Sequence, residues 1–229
     1  MMAMAGGMAA IGLIPIVTTF SVFMLRAIEQ ARLSICYADM NVKIVASHPG
    51  LDTGPDGASA QCLEDIACFR SIPNIAVISP CDPKEMKQAT KAILDYKGPV
   101  YMRTGRSDTK KILAHNYKFE IGKGKIIRDG LDLTIVACGV EVSRALEAAE
   151  SLKNEGISAR VVNMSTIKPI DSKLLEKCAI ETGAFVTAED HNIIGGLGAA
   201  VAEVLAKIMP SPVEFIGTQD VFGESGEPD

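Results

Sequence analysis

Apolar and polar residues follow two alternating patterns along the chain, which predict strands connected by helices. Mostly apolar runs of about four to eight residues, such as 42–46 and 133–138, are typical of strands buried on both faces. Apolar residues three to four positions apart, as in 20–37 and 83–96, predict helices with one buried face. The alternation predicts an α/β protein of two domains, each with a mostly parallel sheet flanked by helices.

The same criteria assign the remaining elements. Further predicted strands cover residues 14–18, 75–79, 100–103, 157–164, 184–188 and 213–216. Further predicted helices cover residues 1–11, 63–69, 142–154, 172–181 and 198–209. A polar run interrupts the pattern between the two halves, and we predict domains at 1–107 and 125–229 joined by a linker at 108–124.

Charge and cysteine usage exclude several classes of protein. The net charge is −5 and no basic run exceeds Lys110-Lys111, so we expect no nucleic-acid partner. The apolar opening MMAMAGGMAAIGLIPIV has no basic region before it and contains Gly and Pro, so we interpret it as part of a domain and expect no membrane association. Six cysteines without a CxxC pair predict reduced thiols and a cytoplasmic protein.

A polar, glycine-rich loop directly follows the apolar run 42–46. Its sequence, SHPGLDTGPDGAS, contains His48 and Asp56. Open α/β folds bind ligands at the carboxyl ends of their parallel strands, which is where this loop would lie. A turn-rich connection would have a similar composition, so the loop alone leaves a binding role and a linker role open.

Two other segments, TTFSVFMLR upstream and YMRTGRSD downstream, complete a resemblance to transketolase. TTFSVF resembles the family segment that stacks the aminopyrimidine ring of thiamine diphosphate. The resemblance implies that Phe23 is the stacking aromatic, with Phe20 and Arg26 beside it in the cofactor site. We expect both rings on one helical turn; without the resemblance, two Phe at this spacing would indicate core packing.

The resemblance also assigns substrate-binding residues. It implies that His48 is a catalytic residue near the C1 hydroxyl and carbonyl of a ketose donor, and that Asp56 accepts a hydrogen bond from a donor hydroxyl. Asp56 could instead form an Asx turn with Gly57. Arg106 matches the arginine that binds the sugar phosphate, Arg103 is a nearby alternative, and either could serve only in a salt bridge.

Some family features are missing. Ala60 stands where the family usually has His or Gln, and Pro55 replaces the usual Glu before the Asp. The family Glu that hydrogen-bonds the pyrimidine would precede Met1, so we expect an N-terminally truncated pyrimidine-binding domain. The motif for diphosphate and Mg²⁺ is missing too. The resemblance therefore implies an N-terminal partner subunit that holds Mg²⁺, a chain inactive by itself, and a homodimer or heterotetramer.

The second half resembles the transketolase C-terminal domain over nearly its full length, from TIVACGVEV to the Glu189-Asp190-His191 and Gly195–Gly198 segments. Glycines before a helix can bind phosphate, but tight packing between strand and helix is the interpretation we favour. The resemblance thus implies a thiamine-diphosphate-binding pyrimidine-domain fold followed by a transketolase C-terminal domain fold.

The implied activity is transfer of a two-carbon ketol group between sugar phosphates. A deoxyxylulose-phosphate-synthase-like enzyme has the same architecture and remains an alternative. The β subunit of a 2-oxo acid dehydrogenase also shares it, but the three sugar-phosphate residues argue against that assignment. A non-catalytic or regulatory subunit of a thiamine-dependent complex is a third alternative, favoured by Ala60 and the missing Glu.

Overall fold

The computed structural model describes residues 1–228, and this part of the chain forms two five-stranded sheets flanked by helices. The strands are β1 (Ile16–Phe20), β2 (Lys43–Ser47), β3 (Ala76–Ile78), β4 (Val100–Thr104), β5 (Lys125–Arg128), β6 (Leu133–Ala137), β7 (Ala159–Asn163), β8 (Thr166–Lys168), β9 (Phe185–Asn192) and β10 (Val213–Thr218). The α-helices are α1 (Met2–Ala10), α2 (Ser21–Leu25), α3 (Ile28–Gln30), α4 (Asp65–Ser71), α5 (Pro83–Asp95), α6 (Glu141–Asn154), α7 (Ser172–Thr182) and α8 (Leu197–Ile208).

The strand order is β1-β2-β4-β3-β8 in the first sheet and β10-β9-β6-β7-β5 in the second. All neighbouring strands are parallel except the pairs β3–β8 and β5–β7. The central strands β4 and β7 are almost entirely buried, as expected when helices cover both faces of a sheet. The predicted fold class is therefore confirmed.

The sequence patterns did not predict two antiparallel edge strands, β5 and β8. β5 has four residues and β8 has three, too few to show a period. β8 belongs to the second half of the chain but pairs with β3 of the first sheet, with Ile78 opposite Thr166. The amide of Ser79 also donates to the Ser165 carbonyl at 2.7 Å, so a strand of the second half completes the first sheet.

The predicted helix at 20–37 is wrong in its details. The chain there forms α2, α3 and a π-helical segment, Ala31–Tyr37, with a break at Ala27. Thr19 and Phe20 join β1 instead, because they pair in register with β2. β1 therefore ends two residues later than the predicted strand at 14–18. Tertiary strand pairing outweighs the helical spacing of the apolar side chains at this point.

One cluster of buried apolar residues extends across both halves and includes Phe69, Ile167 and Leu205. Residues 105–124 contain neither helix nor strand, in keeping with a connecting segment, although the domain limits remain a proposal. Among residues 1–228, no helix is long and apolar enough to cross a membrane.

Candidate functional site

Three neighbouring parallel strands end together at one edge of the first sheet. Phe20, the last residue of β1, is in register with Ser47 at the end of β2, and Ser47 is in register with Thr104 at the end of β4. The segments that follow these strands carry the predicted site residues. Because parallel strands share a carboxyl edge, His48 and Arg106 emerge beside Phe20.

An aromatic stack occupies this edge. The Phe20 ring lies between those of Phe23 and His48, with centroid distances of 5.6 Å and 3.7 Å and interplanar angles of 11° and 14°. Phe20 ends β1 and Phe23 lies in α2, so the expectation that both share one helical turn is wrong, although their rings do stack. Phe23 is 56% exposed, so part of its side chain is accessible to solvent.

His48 has a left-handed backbone conformation, with φ of 56°, immediately after β2. Its Nδ1 lies 3.0 Å from the Ser47 hydroxyl, and its carbonyl accepts a hydrogen bond from the Thr53 hydroxyl at 2.9 Å. Burial lowers the pKa of His48, and the positive charge of Arg106 lowers it further, against the opposing charges of Asp56 and Asp52. The imidazole is therefore neutral at pH 7, with one nitrogen able to donate and the other to accept a proton.

Arg106 is the accessible arginine at this edge. Its Nη2 lies 3.8 Å from Asp56 Oδ1, and both side chains are more than one third exposed. Its Nη1 donates to the Thr53 carbonyl at 2.8 Å. The structure therefore brings His48, Asp56 and Arg106 together around the short 3₁₀ helix Leu51–Asp56.

Arg103 has a structural role by contrast. It is 4% exposed, and its Nε and Nη2 donate to the two carboxylate oxygens of Asp65 at 2.7 Å and 2.5 Å. Burial alone would raise the pKa of Asp65, but the charge and hydrogen bonds of Arg103 lower it. The Tyr101 hydroxyl donates to the same carboxylate at 2.5 Å. This buried group leaves Arg106 as the guanidinium that a ligand at this edge can reach.

The other predicted cofactor residue, Arg26, directly follows α2 and is exposed. Within residues 1–228 its side chain makes no hydrogen bond or ion pair, and its cofactor contact remains a prediction. Ala60 forms a turn with Gly57, and the neighbouring Gln61 does not replace the missing donor. The Gln61 amide instead donates to the Glu224 carbonyl at 3.0 Å.

The glycine cluster Gly195–Gly198 serves packing. The Glu189 carboxylate accepts hydrogen bonds from the amides of Leu197 and Gly198, at 2.6 Å and 2.8 Å, at the start of α8. A Cβ on Gly198 would lie 2.3 Å from the Phe215 ring. The helix terminus is therefore already occupied by a carboxylate, and the packing interpretation is confirmed.

Asp52 and Asp190 were missed as parts of the site. The buried Asp52 carboxylate connects the loops after β2 and β4, and Asp190 contacts the first of these loops from the second half of the chain. The two aspartates are 138 residues apart in sequence, so no local pattern links them. Within residues 1–228, no group of three or more His, Cys, Asp or Glu side chains could hold a metal ion.

Two α/β units, each with a mostly parallel five-stranded sheet, define the class of fold, and comparison with known families identifies the family. Residues 1–111 match the transketolase pyrimidine binding domain, and residues 122–229 match the transketolase C-terminal domain. The chain belongs to the transketolase family and corresponds to its C-terminal half. Membership implies thiamine diphosphate dependence and transferase chemistry within a complex.

Similar proteins point to split transketolases. The chain is 50% identical to a putative transketolase C-terminal section of Methanocaldococcus jannaschii, over 100% of this chain and 73% of that protein. It is 41% identical to the 6-deoxy-6-sulfo-D-fructose transketolase subunit SqwH of Clostridium sp., over 99% of this chain and 70% of the relative. It is 39% identical to a subunit of the apulose-4-phosphate transketolase of Phocaeicola vulgatus, over 90% of this chain and 67% of the relative. Such relatives imply an N-terminal partner subunit and an oligomeric assembly.

Solved structures of transketolases are also similar to this chain. A split-gene transketolase, described as an inactive β4 tetramer, superposes with a TM-score of 0.91 at 47% identity, covering 97% of this chain and 73% of that one. Transketolase of Campylobacter jejuni superposes with a TM-score of 0.81 at 24% identity, over 100% of this chain and 34% of that one, and shares the fold.

Proposed function

We propose that this chain is the C-terminal section of a thiamine-diphosphate-dependent transketolase that moves a two-carbon ketol group from a ketose phosphate to an aldose phosphate. The observation that carries the proposal is the convergence of the accessible Phe23 ring, His48 and Arg106 on one sheet edge. An N-terminal partner completes the site, as a homodimer or heterotetramer in the cytoplasm. The chain alone is inactive under this proposal.

The cofactor side of the site consists of Phe20, Phe23 and Arg26. The exposed face of Phe23 fits a flat heteroaromatic ring such as an aminopyrimidine, and stacking contributes about 0.5–1.5 kcal/mol beyond buried area. Thiamine diphosphate supplies the stabilisation of carbanionic charge that ketol transfer requires. We assign its diphosphate and Mg²⁺ to the partner subunit.

The sugar side consists of His48, Asp56 and Arg106. The neutral imidazole of His48 can hydrogen-bond a hydroxyl or carbonyl oxygen of the donor and exchange a proton with it. The Asp56 carboxylate can accept from a donor hydroxyl. The guanidinium of Arg106 can bind a phosphate through two parallel hydrogen bonds, displacing its long 3.8 Å contact with Asp56.

A second candidate is a non-catalytic or regulatory subunit of a thiamine-dependent complex. The observation in its favour is Ala60, since the Gln61 amide is directed to a main-chain carbonyl and supplies no donor in its place. A deoxyxylulose-phosphate-synthase-like reaction remains compatible with the same edge.

The test is reconstitution with the N-terminal partner, thiamine diphosphate and Mg²⁺, followed by assay with a ketose phosphate and an aldose phosphate. We expect ketol transfer by the mixture and none by either subunit alone. Arg106→Gln should raise KM for the phosphorylated donor by about tenfold or more, because a charge-assisted phosphate contact is lost. Arg128→Gln is the matched control, since Arg128 pairs with Glu150 in the second half.

Two results would count against the assignment. Absence of ketol transfer in a mixture that binds the cofactor would favour the non-catalytic alternative. Equal KM values for the Arg106→Gln and Arg128→Gln complexes would contradict the assignment of Arg106 to the substrate phosphate.

A further inference from the structure

We propose that the C-terminal half of the chain positions the loop after β2, which carries Asp56. It does so through Asp190 and through a segment at residues 223–228 that we term the strap. The inference rests on the proposed function of Asp56 and Arg106. It assigns Asp52, Asp190 and the strap as positioning groups, which contact the binding loop without touching the substrate.

The first contact comes from Asp190, in β9 of the second sheet. Its Oδ1 accepts from the Leu51 amide at 2.7 Å and its Oδ2 from the Asp52 amide at 3.1 Å. The carboxylate lies so close to the loop that a Cβ on Gly50 would be 2.0 Å from Asp190 Oδ2. Gly50 also has a φ of +73°, so glycine is required here for both reasons. Asp190 therefore fixes the start of the 3₁₀ helix.

The second contact passes this constraint to Arg106. The Asp52 side chain is 5% exposed, and its Oδ2 accepts from the amides of Arg106 and Ser107, both at 3.1 Å. The Thr53 carbonyl in turn accepts from Arg106 Nη1 at 2.8 Å. Arg106 is thus held by main-chain and side-chain bonds to the same loop that Asp190 holds. Hydrogen bonds to a carboxylate are stronger than those between neutral groups, which suits a positioning role.

The third contact is the strap, which packs against the loop at Gly54 and Gly57. Gln61 Nε2 donates to the Glu224 carbonyl, and a Cβ on Gly57 would lie 2.3 Å from the Ser225 hydroxyl oxygen. The strap is itself fixed to the second half, because Arg144 Nη2 donates to the Pro228 carbonyl at 2.6 Å. The loop that carries Asp56 therefore contacts both β9 and the strap.

These contacts of the loop with Asp190 and the strap have a functional consequence. The loop contains Gly50, Gly54 and Gly57, all with positive φ, so it would sample many conformations without external contacts. A binding group gains from being held in its productive geometry before the ligand arrives. Loosening the loop should therefore weaken recognition of the phosphorylated substrate while the Phe23 face continues to bind cofactor.

The test uses Asp190→Asn in the complex reconstituted with the N-terminal partner. The substitution keeps the side-chain shape but places an NH₂ group against one of the two loop amides. We expect KM for a phosphorylated ketose to rise by about tenfold, with the Kd for thiamine diphosphate changed less than about twofold. Asp132→Asn is the matched control, because Asp132 accepts from the Ser158 amide at 2.6 Å within the second half.

A second measurement needs neither substrate nor partner. Hydrogen exchange of peptides covering 50–57 and 104–108 should accelerate in Asp190→Asn and in a chain ending at Phe222, and remain unchanged in Asp132→Asn. Unchanged hydrogen exchange in both altered chains, or an unchanged KM for the phosphorylated ketose in Asp190→Asn, would overturn the positioning role. If the unmodified complex transfers no ketol group, the proposed function fails, while exchange still decides whether Asp190 and the strap hold the loop.

Discussion

His191 is a fully buried imidazole at the contact between the two halves. Its Nδ1 donates to the Asn192 carbonyl at 2.5 Å, and its Nε2 accepts from the Ala67 amide at 3.3 Å. Burial lowers its pKa to about 4, and the charge of Arg103 acts in the same direction, while Asp65 opposes it. Both ring nitrogens are already engaged, so His191 serves structure.

The depressed pKa predicts a pH dependence of stability. In the unfolded chain His191 binds a proton near pH 6.5, and in the folded chain only near pH 4, so the unfolded state binds more protons between these values. The free energy of unfolding should therefore fall as the pH falls from about 6.5 to 4, by at most about 3 kcal/mol from this residue. Above pH 6.5 the contribution is constant.

The measurement is urea unfolding of the wild type and His191→Gln at pH 7.5, 6.0 and 5.0, at one protein concentration. The difference in stability between the two proteins should shrink as the pH falls. His115→Gln, at an exposed histidine, is the control and should follow the wild type. Parallel pH profiles for the wild type and His191→Gln would contradict the assignment.

At the scale of single residues, the sequence places His48 and Arg106 after buried strands, and the resemblance supplies their roles. The sequence does not show which of Arg106 and Arg103 is accessible to a ligand. The two arginines are distinguished by their burial and by the contact of Arg103 with Asp65. That difference depends on residues 38 positions apart and appears only in three dimensions.

Among the structural elements, β8 connects the two halves most directly. It pairs with β3 of the first sheet although it follows β7 of the second, and Ile167 within it is 2% exposed in a cluster shared by both halves. The Ile167 side chain therefore packs where the two halves of the chain meet.

We predict that Ile167→Ala lowers the free energy of unfolding by about 3 kcal/mol, through lost burial and the cavity that remains. Ile180→Ala is the matched control, because Ile180 lies in α7 with 67% of its surface exposed, and it should change stability by less than about 0.5 kcal/mol. Urea unfolding of both variants decides the point. Equal losses would show that Ile167 does not pack between the halves.

Sequence patterns identify elements that are long and strongly periodic. The predicted helix at 83–96 corresponds to α5 and the predicted strand at 100–103 to β4, each within one residue at both ends. The short β5 and β8 lack a period, and the irregular segment after β1 depends on pairing with β2. Local spacing cannot reveal either, because both are decided by distant parts of the chain.

At the scale of the whole molecule, the proposed function gives the chain one side of a binding site. The first sheet ends in an aromatic stack, and the second half of the chain contacts the loop that carries His48 and Asp56. Relatives that the chain covers over 73% and 70% of their length are described as a section and a subunit of transketolases. The proposed function therefore assigns cofactor binding to a complex with a second polypeptide.

Calorimetric titration of thiamine diphosphate with Mg²⁺ tests this requirement most directly, on the chain alone, the N-terminal partner alone and their mixture. We predict tight binding only by the mixture, weakened by about tenfold in Phe23→Ala because the stacking face is lost. Phe222→Ala removes a ring that is 86% exposed elsewhere and should leave the affinity unchanged. Undiminished affinity of the Phe23→Ala mixture, or equally tight binding by this chain alone, would contradict the account.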